Sequence, residues 1–159
     1  MDYFQNVVVD FLRTHRSTFV NDECCIQLDP GEALKGRHWY CDAIAANFQN
    51  RTVYLCEVTY SKSLQALITR LGAWNKVWDE IRGAIIRDCS IPDDWSVRPW
   101  LFVPHELLDK LRQRLTAVGI APNASCPMPY PKIKALEDVV PWKPANWDRR
   151  YTAGDANDA

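Results

Sequence analysis

Apolar residues at Phe4, Val7, Val8, Phe11 and Leu12 recur at intervals of three and four, which predicts an amphipathic helix over residues 2–16. The pattern then shortens. Residues 24–28 form a brief apolar run closed by Asp29-Pro30-Gly31, a strand followed by a turn. Residues 39–48 and 52–60 read as two further strands, the second rich in β-branched and aromatic side chains, with Gln49-Asn50-Arg51 as the hairpin loop between them. From a cap at Ser61 or Ser63, a long helix is predicted. Leu64, Leu67, Leu71, Trp74, Trp78, Ile81 and Ile85 lie on one unbroken face of it, with Lys62, Gln65, Thr69 and Lys76 nearly opposite. Ile91-Pro92-Asp93-Asp94 interrupts the chain, residues 97–103 read as a buried strand, and Pro104 opens a last helix that Gly119 stops.

After Gly119 the texture changes. Six of the ten prolines fall there, and Trp142 and Trp147 are predicted to anchor an extended segment on the domain surface, with disorder after about Thr152. The reading is an α/β domain over residues 1–120 and a Pro-rich extension over 121–159. The order α-β-β-β-α-β-α predicts a mixed sheet with helices on both faces.

Composition narrows the class. At 47% hydrophobic and 25% charged, the chain is neither disordered, collagenous nor a coiled coil. A formal net charge of -1 excludes a broadly basic nucleic-acid coat, although a local basic groove can still guide a ligand. Residues 1–30 carry net -3 and residues 62–114 net +2, too little asymmetry to name a partner. The sequence shows no leader pattern and no apolar run near the ~18 residues of a membrane span, so a cytoplasmic protein without membrane contact is expected. Cys24, Cys25, Cys41, Cys56, Cys89 and Cys126 show no zinc spacing and read as reduced, mostly buried thiols.

Candidate chemistry lies on the hairpin. With period-2 alternation, Tyr40, Asp42, Ile44 and Ala46 share one face of the second strand, and Val53, Leu55, Glu57 and Thr59 share one face of the third. Asp42 and Glu57 thus each stand inside an otherwise apolar strand. Desolvation disfavours a buried carboxylate, and two on adjacent strands repel each other. They can pair with Arg37, Arg51 or Lys62, or lie at a solvated strand end. A divalent cation also relieves both penalties, and Mg²⁺ takes one or two carboxylates while keeping waters for a phosphate. The backbone carbonyl of Val58 is a candidate third ligand.

These residues and this order resemble the PD-(D/E)XK nuclease superfamily, the restriction-endonuclease-like fold. The likeness rests on Asp42 in Trp39-Tyr40-Cys41-Asp42-Ala43-Ile44 and on Glu57 in Tyr54-Leu55-Cys56-Glu57-Val58-Thr59, within an α-β-β-β-α-β core spanning about residues 2–120. It implies Mg²⁺ or Mn²⁺ held by Asp42, Glu57 and Val58, and an acidic residue from the first helix, for which Asp10 is the candidate. Thr59 stands where the family has lysine. Lys62, three residues on, can reach the same space, so Lys62 or Thr59 would position the attacking water. The stripe Lys62, Gln65, Thr69 and Lys76, flanked by Arg70, would then meet a phosphate backbone. His15, His38 and His105 share no spacing, and no nucleophile elbow or phosphate-binding glycine loop is present.

Two classes follow. One is a metal-dependent nuclease acting on nucleic acid. The other is a non-catalytic module on the same fold that binds protein or nucleic acid, for which the absent lysine speaks. Either would accommodate a protein partner or a homodimer.

Overall fold

The computed structural model describes residues 2–31 and 35–139. The elements are α1 (Tyr3–Arg13), β1 (Thr18–Gln27), β2 (His38–Asn47), β3 (Thr52–Val58), α2 (Gln65–Lys76), α3 (Trp78–Cys89), β4 (Ser96–Val103), α4 (Leu108–Ala117) and β5 (Lys132–Ala135), with short 3₁₀ turns at His105–Leu107 and Leu136–Asp138. The five strands lie in chain order in one mixed sheet. The β1/β2 and β2/β3 pairs are antiparallel, whereas β3/β4 and β4/β5 are parallel.

Each sheet face is buried under helices. On one face, Val53, Leu55, Val97 and Leu101 pack with Leu67, Leu71 and Trp74 of α2, Trp78 and Ile81 of α3, and Leu111 and Leu115 of α4. On the other, Ala43, Ala45, Tyr54, Cys56, Trp100 and Phe102 pack with Val7, Val8, Val9 and Leu12 of α1. The alternation along β3 and β4 divides the two clusters, as pleating requires.

Four features differ from the sequence reading. The long helix is two helices: at Val77 the backbone turns to φ -124°, ψ 28°, and α3 restarts at Trp78. The apolar face nevertheless runs through the break, because its spacing reports burial against the sheet and not continuity of helical hydrogen bonds. The start of α2 is also different. Leu64 takes the cap position in the left-handed region at φ 56°, while Ser63 Oγ accepts the Gln65 N–H at 3.3 Å and shares a hydrogen bond with Ser61 Oγ at 3.2 Å. The third difference is β5, which arises from the stretch read as a surface-packed extension. Its four residues form the parallel edge beside β4. Finally, burial is confined to Cys41 and Cys56, and Cys89 is exposed; all six cysteines are free. Gly119 does close α4, at φ +82°, with the Ile120 N–H returning to Leu115 O at 2.9 Å. Trp142, Trp147 and the chain end after Thr152 lie outside the described residues. No helix among the described residues is long and apolar enough to cross a membrane.

Candidate functional site

The alternation along β1 and β2 is reset at the site itself. In β2, Trp39 and Cys41 pack with Ile44 and Ala46 on the α2 face, while Ala43 and Ala45 pack on the α1 face. The phase therefore slips between Asp42 and Ala43. The facing strand slips with it: Cys24 and Ile26 belong to the α2 face and Val20 to the α1 face, with Glu23 between them at φ 51°. The ladder passes from Asp22↔Ala43 to Cys24↔Cys41 without a rung at Glu23 and Asp42. This overturns the expected grouping of Asp42 with Ile44 and Ala46. A paired distortion of this kind is invisible to a strict period of two.

Beside this reset, β2 and β3 part company. Their ladder ends at Ala43↔Cys56, one residue short of Asp42 and Glu57. Asp42 Oδ2 takes the place of a backbone acceptor and receives the Val58 N–H at 2.7 Å. Its other oxygen receives Gln5 Nε2 from α1 at 2.6 Å. Gln5 is itself fixed by a capping box. Its amide oxygen accepts the Asp2 N–H and the Asp2 carboxylate accepts the Gln5 N–H, both at 2.9 Å. The helix cap thereby orients the amide that braces Asp42.

Glu57 approaches from the α2 side. Its side chain is 4% exposed, and one carboxylate oxygen bonds the Arg70 guanidinium of α2. The other oxygen, Oε1, is buried with no hydrogen-bond partner. Burial, and then the charge of Asp42, push the Glu57 carboxyl up to about 8, against the pull of Arg70. Asp42 is raised too, chiefly by burial, with the Val58 N–H and Arg70 opposing the shift. The charge of Asp42 thus reaches Glu57 across the gap where their strands separate.

The remaining candidates are placed as follows. Thr59 Oγ1 accepts the Ser61 N–H at 3.2 Å. Lys62 is exposed, and its carbonyl accepts Lys110 Nζ of α4. The cation on Glu57 is Arg70, not Lys62. Arg37 bonds Asp29 and Glu80, and Arg51 bonds Asp94, so neither takes the carboxylate pair. Asp10 is exposed; the residues that this helix brings to the site are Gln5 and, as its N-cap, Asp2. Gln65, Thr69 and Lys76 line a separate cavity of about 780 Å³ with His38 and Trp39. The Asp2-x-x-Gln5 spacing is the sequence signature of this brace.

The buried, orphaned oxygen and the all-oxygen donor set suit a hard divalent cation that keeps several waters. Among the described residues no group of three or more His, Cys, Asp or Glu side chains converges.

Proton linkage at Glu57 has a readable sign. Its folded value near 8 lies above the ordinary 4.5, so the folded state holds the proton between these limits. Stability from this group is full below about 4.5 and is lost as pH rises through about 8. Urea unfolding of the metal-free protein should show this decline, and Glu57→Gln should flatten it. An equally steep decline in the variant would assign the dependence to other groups.

No protein family, curated protein or solved structure matches this chain.

Proposed function

We propose that the chain is a metal-dependent nucleic-acid phosphodiesterase built on a restriction-endonuclease-like core. The observation that carries this reading is the orphaned, buried oxygen of Glu57, a carboxyl that the charge of Asp42 helps to raise, at the point where β2 and β3 separate. An α-β-β-β-α-α-β order, in which α2 and α3 together make the crossover, with β1 to β3 antiparallel and β4 parallel to β3, supports it. Asp42 and Glu57 would hold Mg²⁺ or Mn²⁺, with the Val58 carbonyl as the backbone ligand. Such an ion supplies a nucleophilic water and charge stabilisation at a phosphodiester. The chain's own residues do the rest. Gln5 and the Val58 N–H fix the Asp42 carboxylate. Arg70 offsets the charge of Glu57 and, with the carboxylate turned to a cation, offers its guanidinium to a phosphate oxygen. Lys62 or Thr59 would position the attacking water.

The second reading, a non-catalytic binding module on the same core, is favoured by the Arg70–Glu57 pair, which neutralises Glu57 without a metal. Cleavage assays on duplex and single-stranded DNA and RNA separate the two. The nuclease reading predicts cleavage with Mg²⁺ or Mn²⁺ that chelator abolishes. No cleavage of any substrate with either ion supports the binding module.

A further inference from the structure

Next to the carboxylate pair lies an uncovered aromatic group. Phe4 immediately precedes Gln5, which braces Asp42, and Tyr60 follows Glu57 by three residues. Their ring centroids are 4.9 Å apart, and Tyr3 extends the group with its ring 5.5 Å from Phe4. Tyr3 is 66% exposed, Tyr60 53% and Phe4 38%. Phe4 is flanked by the other two rings, whereas Tyr3 and Tyr60 keep more than half of their surface in water, where a flat ligand can reach them.

Positive charge gathers beside them. Lys62 stands exposed two residues after Tyr60. Lys110 Nζ reaches the Lys62 carbonyl, and the Arg114 guanidinium reaches the Ser63 carbonyl and Gln65 Oε1. The acceptors in these contacts are neutral oxygens, so the cations keep their charge for an anion.

We infer that Tyr60 and Phe4 form a stacking platform for unpaired bases, which makes single-stranded nucleic acid the substrate class of this site. The inference rests on the nucleic-acid reading of the site and deepens it. Bases in a duplex are already stacked on each other and cannot lie on protein rings, whereas a single strand presents every base. Lys62, Lys110 and Arg114 would follow the phosphates as the bases meet the rings. Both DNA and RNA single strands carry this chemistry.

The test is fluorescence anisotropy with labelled oligothymidylate, oligouridylate and a DNA duplex of equal length, in chelator so that nothing is cut. The single strands should bind more tightly than the duplex. Tyr60→Ala should weaken single-strand binding on the order of tenfold to a hundredfold, with Tyr60→Phe close to the parent. Phe19→Ala is the control: Phe19 is 66% exposed, and its β2 partner is Ala46, away from Asp42 along the strand. That variant should bind as the parent does. If the three cations each neutralise one phosphate, log K should fall by roughly 2 per tenfold rise in salt. Equal or tighter duplex binding, or an unchanged Tyr60→Ala, overturns the inference. A preference between the two single strands identifies the natural polymer and supports it. Because binding is read without metal, a protein that stacks single strands yet never cleaves refutes only the nuclease reading. One that cleaves duplex and ignores Tyr60 refutes only the platform.

Discussion

Glu57→Gln should remove metal-dependent cleavage while leaving the protein folded. The side chain keeps its shape and its contact with α2, but it loses the negative charge that a divalent ion needs. The fold should tolerate the change because Glu57 is an expensive group in its place. Burial and Asp42 both work against its ionisation, and one oxygen has no partner. At pH 8 and above, the metal-free variant should therefore unfold at a higher urea concentration than the parent. The control is Asp94→Asn, whose carboxylate is exposed and paired with Arg51. It should cleave normally, and surface pairs of this kind contribute only about 0–1 kcal/mol. Cleavage that survives in Glu57→Gln would remove Glu57 from the chemistry.

The second large effect concerns the core that aims Arg70. Trp74 lies one helical turn beyond Arg70 on α2 and is completely buried. Trp74→Ala should destabilise by about 3–5 kcal/mol, as expected for an indole removed from a packed core. Trp74→Phe should cost far less than that. The indole Nε1 is buried with no hydrogen-bond partner, so its loss carries no hydrogen bond away and removes a desolvated donor. Denaturant unfolding with unchanged slope checks both variants. Equal losses in Ala and Phe would mean that the indole N–H, not the ring volume, stabilises this site.

Much of the scaffold was legible because burial writes simple periods into sequence. The spacing of Val7, Val8 and Leu12 marked α1, and the β-branched run from Thr52 marked β3. Asp42 and Glu57 stood out because acidic residues in apolar strands are costly. What escaped notice depended on interruptions of those periods. Val77 breaks the helix without proline or glycine, while Trp74 and Trp78 on either side remain buried, so the apolar face gives no sign of the break. The slip at Glu23 and Asp42 exchanges faces on both strands at once and keeps the register, so neither strand alone betrays it. β5 is four residues long, in a proline-rich stretch, and its pairing with β4 is supplied by the sheet rather than by local propensity. Spacing alone puts Arg70 at the flank of the polar stripe, as a phosphate contact. Its bond to Glu57 depends on how α2 packs over β3, which sequence spacing does not report.

The two carboxylates are held from different sides of the site. Asp42 is held by α1 and the Val58 N–H, Glu57 by Arg70 of α2, so a shared ion requires Glu57 to release the guanidinium. A crystal grown with Mn²⁺ and recorded at a wavelength that reveals the metal tests this directly. The expected result is one Mn²⁺ bonded to both Asp42 and Glu57, with Arg70 turned away from Glu57. Arg70 still seated on Glu57, with no metal between the carboxylates at saturating Mn²⁺, would contradict it.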